Sequence, residues 1–272
     1  MIKQAIVPLA GLGTRLLPLS SVIPKELLPI NGKPNLEYIM DECVEAGIKQ
    51  FIFIVPKNKP SIKKYFFNNK FYKKIIKKKK NDRRLQKVYK KIKAYQKMIK
   101  FVYQNKPEGT GHAVLQCKKY LKGTHFLMLL ADDLIVKKNC SKEMIALHKR
   151  TKGSVIATKT VNRKNVSRWG ILGFKNKKKN YFLINEVIEK PKLNDAPSNY
   201  AIIGRYILPI KILSILKKQK RGKGGEIHIT DAIKTLVKKK EKFYGNIFKG
   251  KYIDCGTLEG FINSGLTISK YL

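Results

Sequence analysis

The chain has 272 residues, of which 43% are hydrophobic, so it can bury the core of one large domain or of two closely packed ones. This composition excludes a chain that is disordered throughout. The sequence contains no apolar run of about 18 residues, and its first apolar segment follows a single lysine, which argues against a membrane span and a signal peptide. We therefore expect a cytoplasmic protein that does not associate with membranes.

The net charge of +41 comes from 59 basic and 18 acidic residues, and 51 of the basic residues are lysine. A charge of this size is typical of proteins that bind nucleic acid or anionic surfaces. Arginine, however, is the residue that bidentate recognition of phosphate and guanine prefers, and it is scarce here. We favour lysine-rich solvated faces and the drift of an AT-rich genome, and we expect no specific nucleic acid partner. A nucleic-acid-binding protein stays the alternative.

In the first half of the chain, apolar strands alternate with segments of helical length. Strands are predicted at residues 4–9, 50–56, 101–104 and 125–130, and helices at 35–46 and 111–121. The lysine-crowded segment 57–100 is predicted to be a helical insertion that packs through one face. Continuous apolar strands separated by helices indicate a parallel sheet covered on both faces.

The second half is richer in strands and less regular. The predicted strands are residues 154–161, 170–174, 182–189, 200–208 and 243–248, and the predicted helices are 209–217, 230–240 and a last one from about 257. No internal repeat or Gly/Ser linker divides the chain. We therefore predict a single domain, residues 1–272, with an α/β fold around a doubly wound, mixed but mainly parallel sheet.

A glycine turn follows the first strand in LAGLGTRLLPLSSVIPKELLP, residues 9–29. A dinucleotide-binding turn needs a third glycine where this chain has Leu16, and the G-x-x-x-x-G-K-[ST] phosphate loop is absent as well. What remains is a turn at Gly11 and Gly13 whose amides can approach a phosphate. Arg15 and Lys25 follow on a loop that prolines restrict, which favours an anion site. The alternative is a tight turn with two surface cations.

The stretch QNKPEGTGHA, residues 104–113, is a strand end followed by a glycine turn into a helix. Gln104 offers both an amide donor and an acceptor, the pairing that the edge of a pyrimidine base needs. His112 is as compatible with a structural role as with a ligand contact. Alone this stretch is a weak indication.

Two aspartates follow predicted strands, Asp132 in LLADDLI and Asp254 in KYIDCGT. Open α/β sheets bind ligands at the carboxyl ends of their strands. Two carboxylates that converge there beside an anionic substrate need a divalent cation, and Mg²⁺ held by one or two carboxylates plus phosphates fits. The alternative is that Asp254 only caps the next helix and that Asp133 caps its own loop.

The tripeptide Glu189-Lys190-Pro191 is the last candidate. A carboxylate can accept hydrogen bonds from vicinal sugar hydroxyls while the adjacent ammonium reaches a phosphate, which suits a sugar phosphate. By itself the tripeptide is a common turn.

Taken together, these stretches resemble the sugar-nucleotide pyrophosphorylase family, and its uridylyltransferase branch in particular. The resemblance covers nearly the whole chain. The matching pieces, in order, are PLAGLGTRLLP, IPKELLPINGKP, ECVEAGI, QNKPEGTGHAVL, LLADDLI, WGILGF, VIEKPK, PSNYAIIGRYIL, GGEIHITDAI and YIDCGTLEGF. The chain departs from the usual pattern at Ala131, where family members commonly have Pro or Gly before the aspartate.

The resemblance implies a Rossmann-like nucleotidyltransferase fold and a Mg²⁺-dependent reaction of UTP with glucose 1-phosphate that gives UDP-glucose and pyrophosphate. Thymidylyl or another nucleotidyl transfer to a sugar 1-phosphate stays the alternative. Residues 1–135 would form the nucleotide-binding part, and residues 136–272 the β-rich sugar-binding part with the C-terminal helix. A homo-oligomer, dimer or tetramer, is also implied.

The same resemblance assigns roles to individual residues. Arg15 and Lys25 would be catalytic, and Asp132 and Asp254 would hold the metal. The residues that would bind the nucleotide are Ala10, Gly11, Gly13, Gln104 and Gly109. Those that would bind the sugar phosphate are Gly170, Glu189, Lys190 and Asn199.

Overall fold

The computed structural model describes residues 2–58 and 60–271. Its strands are β1 (Gln4–Pro8), β2 (Pro29–Ile30), β3 (Lys33–Pro34), β4 (Gln50–Val55), β5 (Ile99–Tyr103), β6 (His125–Leu129), β7 (Asp133–Val136), β8 (Ser154–Thr160), β9 (Gly170–Lys175), β10 (Tyr181–Glu189), β11 (Tyr200–Pro209), β12 (Phe243–Ile247) and β13 (Lys251–Asp254). Its helices are α1 (Leu19–Val22), α2 (Asn35–Glu45), α3 (Ser61–Phe67), α4 (Asn69–Lys78), α5 (Arg83–Met98), α6 (Thr110–Leu115), α7 (Cys140–Thr151), α8 (Ile212–Lys218), α9 (Ile229–Lys238) and α10 (Leu258–Ser269).

A nine-stranded mixed sheet in the order β5-β4-β1-β6-β11-β8-β12-β10-β9 runs through both halves of the chain. The first four strands in this order are mutually parallel, as are β8 and β12. Antiparallel pairing joins β11 to both β6 and β8, and β10 to both β12 and β9. The predicted mixed α/β fold is therefore confirmed, with four parallel strands at one end of the sheet and a further parallel pair, β8 and β12, among the antiparallel strands.

The core lies on both faces of this sheet. Successive side chains of a strand point to opposite faces. In β1, Val7 belongs to the cluster that α2 and α7 cover, whereas Ile6 belongs to the cluster beneath α6, α8 and α9. In β4, Phe53 and Ile54 divide in the same way. Burial on both faces explains why these strands are continuous apolar runs in the sequence.

The segment predicted as a helical insertion forms α3, α4 and α5. Ile62 and Phe66 of α3 and Ile92 and Tyr95 of α5 are buried in the core, whereas none of the residues of α4 is buried. The Phe66 ring lies 6.3 Å from the Tyr95 ring in an edge-on arrangement. The insertion therefore packs through one face, as predicted.

Several local predictions were wrong. The helix predicted at 111–121 ends at Leu115, because i→i−3 hydrogen bonds to Val114 and Cys117 tighten the following turn. The helix predicted at 209–217 begins at Ile212, since β11 continues to Pro209. Helix α7 and the short strand β7 were not predicted, and the strand expected before Asp254 is β13, which includes that aspartate.

Strands β7 and β13 form a separate antiparallel ladder next to the carboxyl end of β6, and it pairs Asp133 with Asp254. Because Asp132 directly precedes Asp133, this ladder brings the two candidate metal-binding aspartates, Asp132 and Asp254, near each other. Over the described residues, no helix has the length and hydrophobicity that a membrane crossing needs.

Candidate active site

Two adjoining cavities open at the carboxyl ends of β1, β5 and β6. The smaller has a volume of about 380 Å³ and the larger about 610 Å³. They share Gly11, Gly13, Lys25, Asp132 and Glu226 in their linings. A ligand with two parts could therefore occupy both cavities and present the junction between its parts to Lys25 and Asp132.

The smaller cavity is lined by all five residues predicted to bind a nucleotide, which are Ala10, Gly11, Gly13, Gln104 and Gly109. Gly13 and Gly109 have φ angles of 69° and 102°, a region that favours glycine. A Cβ on Gly109 would also lie 2.7 Å from the carbonyl oxygen of Ile227. Gly109 therefore lets a later segment of the chain close over this turn.

Gln104 is buried and its side chain is fixed by a neighbour. Its Nε2 lies 2.8 Å from Nδ1 of His112, whose Nε2 lies 3.0 Å from Nε2 of Gln116. This contact leaves the Gln104 side-chain oxygen without a hydrogen bond among the described residues. His112 therefore orients Gln104, which favours the structural interpretation of this histidine.

Lys25 and Asp132 form the closest charge contact at the junction of the cavities, with Nζ 2.6 Å from Oδ2. Nη2 of Arg15 lies 3.5 Å from the same oxygen. The Lys25 side chain is mostly buried, whereas that of Arg15 is 58% exposed. The two predicted cations therefore converge on one carboxylate, with the Arg15 side chain still accessible to a ligand from solvent.

Burial and this charge contact shift the pKa values of Lys25 and Asp132 in opposite directions. Burial would lower the pKa of Lys25, but Asp132 and Glu26 outweigh it, so the pKa lies above its usual value. Burial would raise the pKa of Asp132, but the charge of Lys25 and its hydrogen bond outweigh it, so the pKa lies below its usual value. Both groups are therefore ionised at neutral pH.

Asp132 and Asp254 face a common point beside Gly256. A Cβ on Gly256 would lie 2.7 Å from Oδ2 of Asp132, 2.7 Å from Nη2 of Arg15 and 3.2 Å from Oδ1 of Asp254. The absence of a side chain at Gly256 therefore lets two carboxylate oxygens and the Arg15 guanidinium approach one another. Among the described residues, no cluster of three or more acidic, histidine or cysteine side chains could hold a metal ion. A metal ion held by Asp132 and Asp254 would take its other ligands from a substrate or from water.

The alternative roles for the aspartates were wrong. Thr257 caps α10 by accepting a hydrogen bond from the Gly260 amide, and Asp254 accepts one from the Gly256 amide instead. Asp133 does not cap its own loop. Its Oδ2 accepts from the amide of Gly204 at 3.0 Å and its Oδ1 from the hydroxyl of Tyr252 at 2.6 Å.

Asp133 thus joins β11 and β13 to the turn that carries Asp132. Burial, and after it the charge of Asp132, raises the pKa of Asp133 to about 6. Arg205 fixes the same turn from beneath, because its guanidinium donates to the carbonyl oxygens of Leu130 and Asp133.

The larger cavity is lined by Gly170, Glu189 and Lys190, three of the four residues predicted to bind a sugar phosphate. Oε2 of Glu189 accepts a hydrogen bond from Oγ1 of Thr230 at 2.8 Å. A Cβ on Gly170 would lie 3.2 Å from that same carboxylate oxygen. Nζ of Lys190 lies 3.9 Å from the other oxygen, Oε1. The carboxylate is held in place with room beside it.

Asn199, the fourth predicted residue, does not line either cavity. Its side-chain amide donates to the carbonyl oxygen of Val161 at 3.4 Å, and its own carbonyl accepts from the Val161 amide. In this arrangement Asn199 supports the strands beside the larger cavity. Its predicted contact with a sugar stays a prediction.

Sequence reasoning missed several residues that line the larger cavity. Arg168 lies 3.8 Å from Asp254 and stacks on the Trp169 ring, with 4.9 Å between the guanidinium carbon and the ring centre. Three further lining residues, Glu226, His228 and Thr230, lie on one segment of the chain, and this segment also packs against Gly109. WGILGF and GGEIHITDAI contain or border these residues, but their side chains meet the others only in the folded chain.

The chain matches the protein-family model for nucleotidyl transferases over residues 4–270. It is 38% identical over 264 residues to UTP–glucose-1-phosphate uridylyltransferase 2 of Staphylococcus saprophyticus, covering 97% of this chain and 90% of the relative. It is 36% identical over 271 residues to UTP–glucose-1-phosphate uridylyltransferase 2 of Streptococcus pyogenes serotype M3, covering 97% and 89%.

Solved structures give the same result. The fold is similar to a UDP-glucose pyrophosphorylase complexed with UDP-glucose, with a TM-score of 0.88, 34% identity and 100% of both chains covered. It is also similar to a UTP-bound UGPase from Acinetobacter baumannii, with a TM-score of 0.89, 33% identity and coverage of 98% of this chain and 93% of the other. The resemblance predicted from the ordered motifs is confirmed: the chain belongs to the nucleotidyl transferase family, among the UTP–glucose-1-phosphate uridylyltransferases.

Proposed function

We propose that this protein transfers the uridylyl group of UTP to glucose 1-phosphate, giving UDP-glucose and pyrophosphate. The observation that carries the proposal is the pair of adjoining cavities with Lys25 and Asp132 at their junction. Relatives named for this reaction match nearly the whole chain. A nucleotide in the smaller cavity and a sugar phosphate in the larger one would meet where the cations and carboxylates converge.

The smaller cavity suits a pyrimidine nucleotide. Gln104 is held by His112 through its side-chain nitrogen and would offer its side-chain oxygen to the edge of a base, with Ala10, Gly11 and Gly109 lining the same cavity. The turn at Gly13 then leads the triphosphate toward Arg15. Lys25 and Arg15 would bind its phosphates, since Lys25 lines both cavities and Arg15 lines the larger one beside their junction.

We propose that Asp132 and Asp254 hold Mg²⁺. The donor set fits, because two carboxylate oxygens converge beside Gly256 at a point where the Arg15 guanidinium already places a positive charge, and Mg²⁺ is often held by one or two carboxylates plus substrate phosphates. When bound, the ion would neutralise charge on the phosphates of UTP. Lys25 would then give up its contact with Asp132 and become available to the phosphates.

The larger cavity would hold glucose 1-phosphate. Glu189, oriented by Thr230, would accept hydrogen bonds from sugar hydroxyls, and Gly170 leaves the space in which a ring can approach it. Lys190 would bind the sugar's phosphate, and Asn199 would complete the sugar site after a local rearrangement. This division assigns the nucleotide to residues 1–135 and the sugar to residues 136–272.

In the reaction, a phosphate oxygen of glucose 1-phosphate attacks the α-phosphorus of UTP in line with the bond to the β-phosphate. That bond breaks and pyrophosphate leaves with the electron pair. A general base is unnecessary, because the attacking oxygen is already anionic at neutral pH. Lys25 and Arg15 stabilise the charge that moves onto pyrophosphate, and the two cavities align the reactants.

The direct test is pyrophosphate release by purified protein supplied with Mg²⁺, UTP and glucose 1-phosphate. Release that depends on both substrates and falls sharply in Lys25→Ala supports the proposal. Absence of release, or equal release by the variant, would contradict it. Replacing UTP with dTTP, and glucose 1-phosphate with other sugar 1-phosphates, tests the alternative of another nucleotidyl transfer.

We also propose a cytoplasmic homo-oligomer, dimer or tetramer, that carries out this reaction with no specific nucleic acid partner and no membrane. Leu258, Ile262 and Leu266 follow one another at helical spacing along α10 and are 52%, 62% and 67% exposed. An apolar stripe of this kind suits a contact with a second copy of the chain. Light scattering of wild type and of Ile262→Asp tests this: a monomeric wild type contradicts it.

A further inference from the structure

The positive charge is concentrated in one segment. Residues 57–100 contain 19 of the 59 lysines and arginines and one of the 18 acidic residues, which gives +18 over 44 residues. The other 228 residues carry +23. The charge per residue is therefore about fourfold higher in the insertion, which uniform compositional drift does not account for.

The helices of this insertion form an open cleft away from the two active-site cavities. It has a volume of about 620 Å³ and is lined by Lys80, Asn81, Arg83, Gln86, Lys87 and Lys90. Four of these residues are cations, two are amides and none is a carboxylate. Arg83, Lys87 and Lys90 follow at intervals of four and three residues along α5, so they share one face at a spacing of about 5 Å.

The cations of the cleft have no ion-pair partners within the described residues, unlike their neighbour Lys91. Lys91 lies on another face of α5 and pairs with Glu37 and Asp41 at 2.8 and 3.0 Å. The one carboxylate of the insertion, Asp82, accepts a hydrogen bond from the amide of Leu85 and caps α5. The cleft therefore presents repelling charges that an external polyanion would neutralise.

Aromatic rings continue this surface onto α4. The ring centres of Phe71 and Tyr72 are 5.9 Å apart, and those of Tyr72 and Tyr89 are 6.2 Å apart, so the rings bridge α4 and α5. Phe71 is 56% exposed among the lysines of α4. Tyr72 and Tyr89 are half-buried, so Phe71 is the ring of this cluster on which a base could stack, and single-stranded nucleic acids bind to surfaces that combine such a ring with cations.

We propose that the surface formed by the cleft residues and Phe71 binds single-stranded nucleic acid without sequence preference. An anionic membrane would need a continuous apolar face, whereas Phe71 and Val88 are isolated exposed apolar residues here. An acidic polypeptide would use the cations but has no bases to stack on the rings. This binding is separate from the uridylyl transfer and does not depend on it.

The test is fluorescence anisotropy of labelled oligoadenylate, as RNA and as DNA, titrated with the full chain from low salt to about 150 mM KCl. Oligoadenylate is used to avoid competition of a uridine oligomer for the nucleotide cavity, and excess UTP should not displace it. The variant Arg83→Ala/Lys87→Ala/Lys90→Ala should weaken binding about tenfold or more. It should also reduce the slope of log K against log salt by about 2.

The matched control is Lys217→Ala/Lys218→Ala/Lys220→Ala, which removes the same charge from exposed positions at the end of α8. It should change affinity less than about twofold, and both variants should keep wild-type pyrophosphate release. Equal losses in the two variants would mean diffuse attraction and would overturn the proposal. So would loss of wild-type binding by about 150 mM KCl, or tighter binding to vesicles of phosphatidylcholine and phosphatidylserine.

Phe71→Ala separates stacking from charge. It should weaken binding to the single strand several-fold while leaving the salt slope and binding to a duplex unchanged, because stacking needs unpaired bases. Leu193→Ala, which changes an exposed apolar residue outside the insertion, should have no effect. If Phe71→Ala leaves single-strand binding unchanged, the surface recognises charge alone and the assignment to single strands is wrong.

Discussion

Lys25 is the cation most closely tied to the proposed chemistry. It is mostly buried against Asp132, and its pKa is raised above the usual value although burial alone would lower it. A fixed, permanently charged donor of this kind stabilises developing charge without reorganisation during the reaction. Lys25 would therefore stabilise the negative charge that moves onto pyrophosphate during the reaction.

We predict that Lys25→Ala lowers kcat about 10²-fold or more, because one preorganised donor to the leaving group is lost. Lys25→Arg should recover only part of the rate, since a planar guanidinium does not fill the position of an ammonium 2.6 Å from Asp132. Steady-state pyrophosphate release measures both variants. A drop in kcat of less than threefold in Lys25→Ala would remove this residue from the proposed chemistry.

Thr230 positions the carboxylate that would meet the sugar. It is buried, and its hydroxyl donates to Glu189. We predict that Thr230→Val, which keeps the shape and removes the hydroxyl, raises KM for glucose 1-phosphate about 5- to 10-fold, the equivalent of one hydrogen bond. KM for UTP should stay unchanged.

Thr230→Ser is the matched control, because it keeps the hydroxyl and loses the methyl group. It should restore KM for glucose 1-phosphate to within about twofold of wild type. Equal effects of the two variants on KM would indicate that Thr230 acts through packing, as would parallel losses for both substrates.

At the scale of elements, a buried ion pair joins α2, α7 and β11 beneath the active site. Nη2 of Arg205 lies 2.8 Å from Oε2 of Glu42, and Oε1 of Glu42 accepts from the amide and hydroxyl of Ser141. Arg205 also donates hydrogen bonds to the carbonyl oxygens of Leu130 and Asp133. Removing one partner of such a pair leaves an uncompensated buried charge.

We predict that Glu42→Gln lowers the free energy of unfolding by about 3 kcal/mol. Glu45→Gln is the control on the same helix, because its partner Lys142 is 49% exposed and surface pairs contribute less than about 1 kcal/mol. Urea titrations of both variants give the comparison. Equal changes in the free energy of unfolding of the two variants would mean that the buried pair contributes no more to stability than the surface pair.

A second coupling between elements involves His125 at the start of β6 and His148 of α7, whose rings are 4.6 Å apart. Burial, and after it His148 and Lys211, lowers the pKa of His125 to about 4. A depressed pKa means that the neutral form is favoured in the folded state. Its contribution to stability is therefore present above about pH 6.5 and is lost as the pH falls toward 4.

We predict that His125→Gln reduces the loss of unfolding free energy between about pH 7 and pH 4, because the group that must take up a proton on unfolding is gone. Urea unfolding at several pH values in this window measures the effect. Parallel curves for wild type and variant would show that His125 does not contribute to acid sensitivity.

The sequence predicted the elements whose signal is local and missed those that depend on tertiary contacts. β1, β4 and β6 were found because burial on both faces makes them continuous apolar runs. β7 and β13 have four residues each, and their pairing depends on contacts such as that of Tyr252 with Asp133. No short-range pattern encodes such a pairing.

The same distinction applies to the site. Gly11, Gly13 and Gly109 were accessible from the sequence because their turns follow strands. Thr230 was not, since its relevance depends on a hydrogen bond to a residue 41 positions away. Arg205 sits within the apolar run of β11, where no pattern distinguishes a buried guanidinium from an edge residue.

At the scale of the whole molecule, 59 basic residues face 18 acidic ones, so most cations have no carboxylate to pair with. Net charge of this size destabilises the compact state through self-repulsion, and the repulsion is screened when the Debye length shortens. The density is greatest in the insertion, where the cleft cations repel one another. Added salt should therefore increase the free energy of unfolding of this protein more than that of a protein with a small net charge.

We predict that Tm rises steadily as NaCl increases from about 20 to about 300 mM, because the Debye length falls from above 20 Å to below 6 Å and screens the repulsion. Arg83→Gln/Lys87→Gln/Lys90→Gln should have a higher Tm at low salt and a weaker dependence on salt. Lys217→Gln/Lys218→Gln/Lys220→Gln removes equal charge where the density is lower and should respond less. Scanning calorimetry across the salt series measures these Tm values. A wild-type Tm that stays constant or falls as NaCl increases would mean that self-repulsion does not significantly destabilise the folded state.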